Sequence, residues 1–231
     1  LKWLEHHPLE EVKGVAKSIR EKLQEKYPNS FSHKIYEKQE AYLDFVSEKK
    51  YFHNPKAKKF SFVSHLRTQE LLKEVPKKVI AGRPEKSELP HKLLKYGTIH
   101  FSFPLDFGSF RDLQRHRNGA YEMPLLTMSI GFHPWYLAQL PPAFAKEMKA
   151  ELKERERELK ALKAPKEIAQ YYIAMGYQVS CDLEIGLPSA VYIAELRSQQ
   201  TVHPTLRMIA QDMGKTIAKI LPQAALHVDN S

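Results

Sequence analysis

Cysteine is nearly missing from this chain of 231 residues: Cys181 stands alone. A single thiol excludes an internal disulfide and fits a reducing compartment. Its apolar surroundings, VSCDLEIGL, give the expectation of a buried core thiol. Long hydrophobic runs are also missing. No stretch approaches the roughly 18 apolar residues that a membrane-crossing helix needs. The first residues lack the apolar core of a signal peptide, so a cytoplasmic protein without membrane attachment is expected. The chain opens on Leu, the expectation being a fragment or the later domain of a longer protein. Histidines 6, 7, 53 and 65 have no Cys or carboxylate partners at metal-site spacing, and no metal is expected.

What is present is ordinary in amount and uneven in placement. Hydrophobic residues make up 42% and charged residues 27%, which suits a soluble globular chain. The formal charge is +9. Residues 1–87 hold 19 Lys and Arg against 12 Asp and Glu, and the remainder holds 17 against 15. The basic excess therefore belongs to the first third, where it attracts nucleic acid, nucleotides or anionic surfaces without selecting among them.

Pro8 followed by two glutamates reads as a helix start, with Val12, Val15, Ala16, Ile19 and Leu23 on one inward face. A second helix is expected over 34–49, with Ile35, Tyr42, Phe45 and Val46 inward. Residues 49–60 then interleave lysines with aromatic rings. That pattern either grips phosphates and stacks on bases or forms a solvated loop before a short strand at 60–63. Thr68 is expected to cap a helix over 69–75. The turn-like AGRPE at 81–85 marks a boundary between a basic, mainly helical region, 1–85, and a second domain, 86–231.

In the second domain, Ser87 reads as a helix start. Residues 98–107 alternate as a half-buried strand does, with Pro104 marking an edge or bend. A helix carrying Arg115-His116-Arg117 follows, and Asn118-Gly119 breaks it. Arginine holds phosphate in a two-pronged fork, and histidine donates or accepts near neutral pH. At a helix end the three could converge on one anion, such as a phosphorylated nucleotide or flavin. The alternative is a solvated basic turn. Further on, a helix is expected over 142–162 with Phe144, Met148, Leu152, Leu159 and Leu162 as its stripe. Its ERERE run would be a salt-bridged face, and the helix is a candidate oligomer contact. A short helix over 166–175 would turn Ile168, Tyr171, Tyr172 and Met175 inward. A strand at 179–187 and helices at 188–197 and 204–221 complete the pattern. The last has Leu206, Ile209, Met213, Ile217 and Leu221 as its core stripe.

FRDLQRHR followed by NGAYEMPLLT resembles the signature region of the flavin-dependent thymidylate synthases, the ThyX family. PHKLLKYGTIHFSF, from Pro90, is similar to that family's H-x-x-x-x-E-H-x-x-F-T-F segment. SAVYIAELRSQQTVHPTLR, from Ser189, is similar to its later helices. The resemblance covers roughly residues 88 to 222. It implies an α+β fold of long helices packed on a mainly antiparallel sheet. It implies FAD as cofactor, with NADPH and methylenetetrahydrofolate where the enzyme is active in converting deoxyuridylate to thymidylate. It implies a homo-oligomer or a tandem partner domain, because the family builds its sites across subunits. By position, Arg115, His116, Arg117, His91 and His203 would attend the flavin, and Arg197 and Arg207 the substrate.

Several family positions are replaced. Lys95-Tyr96 stands where Glu-His is usual. Leu125 and Thr127 stand where the family has a ring-contacting serine and a phosphate-holding arginine. Gly186, Pro188 and Tyr192 replace Asn, Arg and Asn, and Thr201 and Thr205 replace His and Glu. Leucine neither donates a hydrogen bond nor holds a phosphate. Weakened or lost catalysis is therefore expected. The other reading is a scaffold whose basic first third, through residues 49–60, contacts nucleic acid.

Overall fold

Two nine-residue strands set the architecture. In the computed structural model, which describes residues 1–31, 34–51 and 57–231 (backbone alone for 48–51), Thr98–Asp106 (β2) and Gln178–Gly186 (β4) pair antiparallel along their whole length. Their register puts Ile99, Phe101, Phe103 and Leu105 opposite Ile185, Leu183, Cys181 and Val179. All eight are buried, and all lie on one face, because side chains alternate across a strand. Ser61–Ser64 (β1) adds to the free side of β2, and Gly119–Glu122 (β3) to the free side of β4. The result is one four-stranded antiparallel sheet in the order β1-β2-β4-β3, with helices around it: an α+β fold. β1 pairs only with residues 99–102, so Pro104 sits where β2 has β4 as its partner strand and needs no donor toward β1.

Lys2–Glu5 (α1), Glu10–Lys26 (α2), Pro28–Phe31 (α3) and Glu37–Tyr51 (α4) precede the sheet. Thr68–Glu74 (α5) and Lys77–Ala81 (α6) follow β1, and Phe107–Leu113 (α7) follows β2. Pro134–Ala138 (α8), Pro142–Ala161 (α9) and Lys166–Ala169 (α10) lie between β3 and β4. Leu187–Arg197 (α11) and Pro204–Ile220 (α12) close the fold. The apolar sheet face packs against α11 and α12. α11 buries residues on nearly every side, and α12 buries Leu206, Met213 and Ile217 as a stripe. Gly186 precedes α11 where a Cβ would press on the Leu94 Cδ2 methyl, so a larger residue there would displace that side chain. Leu71, Val75 and Ile80 join the same buried cluster, so residues 61–81 share a core with the elements after residue 86.

Four helical segments differ from their expected packing. α2 buries Ala16 but leaves Val15 and Ile19 exposed. Ile35, Tyr42 and Phe45 are exposed around α4. On α9, Leu152 and Leu159 pack on the core while Phe144, Met148 and Leu162 stay exposed. Residues 166–175 form α10 and a 3-10 turn, Gln170–Tyr172, with Ile168, Tyr171, Tyr172 and Met175 exposed. An apolar period marks a face, but covering it needs another element, and among the described residues none covers it fully. Ser87 opens no α-helix; a 3-10 helix, His91–Tyr96, stands there instead. Thr68 begins α5 without a side-chain cap. The ion pairs of ERERE form as the spacing predicts, Arg155 with Glu151 and Glu158, and Arg157 with Glu154.

Residues 52–56, with His53, lie outside the described residues. The end of the basic-aromatic stretch is seated on the sheet: the Ala57 amide donates to Ser180 Oγ at 2.8 Å, and the Phe60 ring centroid lies 6.0 Å from that of Phe103. Among the described residues, no helix is long and apolar enough to cross a membrane.

Candidate functional site

The Arg-His-Arg run does not ride on a helix. Asp106 caps the start of α7, its Oδ2 accepting the Ser109 amide at 2.9 Å. The helix stops at Leu113, and the His116 amide donates to the Leu113 carbonyl at 3.1 Å, closing a turn. Three residues later β3 begins. The run therefore spans the gap between a helix end and an edge strand, where consecutive side chains point in different directions.

Those directions separate the three residues instead of converging them. His116 turns inward and is half-buried. Its Nε2 accepts the Arg197 Nε–H at 2.9 Å, and Arg197 also donates to the Asp112 carbonyl at 3.0 Å. Tyr192 meets the imidazole edge-on with ring centroids 5.8 Å apart. Burial, and then the Arg197 guanidinium, push the His116 pKa down to about 4, against the pull of Asp112. At neutral pH the ring is uncharged, and accepting at Nε2 places its proton on Nδ1. Arg115 and Arg117 are exposed; Arg115 lies 3.3 Å from Asp112. Among the described residues, no carboxylate forms an ion pair with Arg117 or with the nearby Arg111. On β3, the Tyr121 hydroxyl is buried with no partner among the described residues, and burial raises its pKa to about 12.

The other expected site residues go elsewhere. His203 lies just before α12, its Nδ1 2.8 Å from Thr205 Oγ1, with Trp135 and Tyr136 rings 4.9 and 5.5 Å away. Thr205 in turn meets Ser109 Oγ at 2.7 Å. Ser109 is on the first turn of α7, whereas His116 lies beyond its last, so the two histidines occupy opposite ends of that helix. Arg207 donates to the Ser198 carbonyl at 2.8 Å and to Ser231, which holds residues 229–231 against the end of α11. His91 is exposed at the start of the 3-10 helix. The structure thus brings together His116 and Arg197, flanked by Arg115 and Arg117, and leaves His91, His203 and Arg207 apart from them.

Two polar groupings carry no motif in the sequence. Asp106 is wholly buried; its Oδ2 also accepts the Tyr136 hydroxyl at 3.1 Å, while its Oδ1 has no partner among the described residues. Burial and Asp106 raise the Tyr136 pKa to about 12, and burial lowers that of His133. The second grouping is centred on Arg83, which donates to the Ser87 carbonyl, to Glu195 and, at 2.8 Å, to the Ala225 carbonyl. An Asp just before a helix is a legible cap signal, but nothing in the sequence pairs Arg83 with Glu195, 112 residues later. Among the described residues, no group of three or more His, Cys, Asp or Glu is placed to hold a metal.

No family model matches the chain. It is similar to a UPF0159 protein from Chlamydia muridarum, 33% identical over 130 residues, or 56% of this chain and 24% of that protein. A UPF0159 protein from Thermoplasma acidophilum is 34% identical over 128 residues, 54% of this chain and 26% of its own length. One from Chlamydia pneumoniae is 32% identical over 133 residues. The chain spans about a quarter of the length of these curated relatives.

Proposed function

We propose that this chain is a ThyX-like domain that holds the phosphates of a flavin or nucleotide on Arg115 and Arg117, with weakened or lost synthase chemistry. The observation that carries this reading is the turn itself. It projects two exposed guanidiniums from a short backbone anchored by the His116–Arg197 contact. A neutral imidazole there costs no charge repulsion against Arg197 and leaves two exposed guanidiniums, Arg115 beside Asp112 and Arg117, to meet a phosphate. FAD, as the resemblance implies it, fits this turn at its phosphate end. When bound it would supply hydride transfer, while the chain's own residues bind and orient.

Weakened chemistry follows from what stands nearby. Residues 118–145 contain no Lys or Arg, so no cation follows the turn closely in the chain. Thr127 is exposed and hydrogen-bonded to Ser129 at 2.8 Å, and Leu125 offers no polar atom. Each lost charge-assisted hydrogen bond typically removes ~1.5–3 kcal/mol of affinity. The test is the visible spectrum of the purified protein before and after adding FAD, followed by titration with deoxyuridylate. Bound-flavin absorbance with little response to deoxyuridylate is the expected result. Absence of flavin uptake would remove the flavin reading.

A second reading rests on the first third of the chain. Its basic excess accompanies exposed rings at Tyr27, Tyr36 and Tyr42, with the Lys34 ammonium 5.6 Å from the Tyr36 ring centroid. Exposed rings accompanied by lysines suit single-stranded nucleic acid. Oligonucleotide affinity that falls steeply with salt would favour that reading, and salt-independent or absent binding would remove it.

A further inference from the structure

We propose that His6 is the pin of a pH-operated clasp: protonated on both ring nitrogens, it holds α1 against α4, and on losing one proton it releases these helices while the sheet stays folded. The geometry carries the charge. His6 Nδ1 lies 2.7 Å from Asp44 Oδ1 and its Nε2 lies 2.9 Å from Glu40 Oε2, and the side chain is 8% exposed. A neutral imidazole donates from one nitrogen and presents a lone pair at the other. Between two carboxylates that lone pair would face an acceptor. The ring that fits is the imidazolium, donating to both.

The surrounding charges agree. On α4, Glu40 and Asp44 stand one helical turn apart, where like charges repel unless a cation lies between them. On α1, Lys2 lies 2.8 Å from Glu40, and Glu5 accepts two donors from Arg20 of α2. Three carboxylates, Glu5, Glu40 and Asp44, thus meet Lys2, Arg20 and a charged His6, and a neutral His6 leaves one negative charge in excess. The Lys2 ammonium, and then the His6 ring, hold the Glu40 carboxyl below its usual range. Adjacent His7 is the contrast: its Nδ1 accepts the Leu9 amide at 3.1 Å, and burial pushes its pKa down.

Little else closes this region. Val15, Ile19, Tyr42 and Phe45 are exposed, and among the described residues before β1 the one buried apolar side chain is Ala16. Helices without an apolar core depend on their ion pairs, and a buried polar atom facing an unmatched charge is costly. The sign follows. The clasp accepts the charged ring and disfavours the neutral one, so its contribution is present at low pH and is lost as pH rises. Histidine is the side chain that makes such a change near neutrality, free imidazole doing so at about 6.5. Protonating the carboxylates in acid would open the clasp too, so the test stays above about pH 5.5.

The experiment follows amide hydrogen exchange of the full chain by mass spectrometry from about pH 5.5 to about pH 8.5, with rates corrected for intrinsic base catalysis. The NMR signals of the His6 ring nitrogens are recorded over the same range. Wild type is compared with His6→Gln and, as control, His7→Gln. The expected result is a His6 ring protonated on both nitrogens at the acid end. As one proton leaves, protection of α1 and α4 should fall roughly tenfold or more, with β2 and β4 unchanged. His6→Gln should be open at every pH, with protection of α1 and α4 that is low and level. His7→Gln should follow wild type. A wild-type ring with one unprotonated nitrogen at the acid end overturns the inference, whatever the variants do. So does wild-type protection of α1 and α4 that stays level across the range, or that falls equally in His6→Gln. Protection lost from β2 and β4 together with α1 and α4 would mean general unfolding and overturns it as well.

Discussion

Arg83 and the pair Arg115/Arg117 carry the same guanidinium in opposite settings. The Arg83 side chain is 4% exposed, and its donors reach a carboxylate and two carbonyls from three separate segments. The Arg115 side chain is 75% exposed, with one carboxylate at 3.3 Å. A buried guanidinium needs partners, because an unpaired charge in the interior is very costly. In Arg83 the two terminal nitrogens are held by those acceptors, while the buried Nε has no partner among the described residues. An exposed guanidinium gains little from a surface ion pair and keeps its fork for an incoming anion. Arg197 and Arg207 fall between. Arg197 steadies the turn through His116, and Arg207 is spent on backbone carbonyls and Ser231. The degree of burial thus separates the arginine that holds the fold from those open to a ligand.

The contrast is most easily broken at Arg83. Arg83→Ala would strand Glu195 and should cost ~3–5 kcal/mol, read as a lower urea midpoint; a change under ~1 kcal/mol would mean this grouping carries little. Next in size, Arg115→Ala/Arg117→Ala should reduce affinity for FAD or a nucleotide by about a hundredfold or more, from two lost charge-assisted contacts. The same variant should shift stability by no more than ~0.5 kcal/mol, since the removed groups are on the surface. Loss of both binding and stability would erase the distinction drawn here. Tyr136→Phe removes one of the two donors to buried Asp106 and should destabilise by ~1–3 kcal/mol in chemical denaturation. It should leave ligand affinity alone, because this cluster lies at the far end of α7 from the turn.

Smaller still is a pH effect at His116. Its folded pKa, about 4, lies below the ordinary 6.5, so between these values the unfolded chain takes up a proton that the folded chain refuses. The contribution is fully present above pH 6.5 and is lost as pH falls toward 4. Comparing urea midpoints of wild type and His116→Asn across that window should show a shallower decline in the variant. Identical declines would place the acid sensitivity in other groups.

The sheet strands and the last two helices were readable because their signals are local. The alternation in the strand expected at 98–107, the apolar run expected as a strand at 179–187, and the stripe of Leu206, Met213 and Ile217 each fall on a face that the structure does cover. The same reasoning named faces on α2, α4 and α9 that remain open, because a period says nothing about whether a partner exists. At the site, the resemblance gave the Arg115–Arg117 run to a flavin and Arg197 to a substrate, and the structure sets Arg197 against His116. The inward turn of His116 depends on Arg197, 81 residues away, and could not be read from the run itself. His203 and His116 looked equivalent as histidines near a flavin, yet α7 stands between them. Arg83–Glu195 and Asp106–Tyr136 were invisible for the same reason: each joins segments that only the folded chain brings together.

The most direct test of the account is an FAD titration followed by flavin absorbance, with wild type and Arg115→Ala/Arg117→Ala side by side and both checked for equal thermal melts. The account predicts saturable uptake by the wild type at roughly tens of micromolar or below, and its loss in the equally stable variant. Uptake that is unchanged in the variant, or absent from both proteins, would contradict the assignment of the turn as a phosphate-holding site.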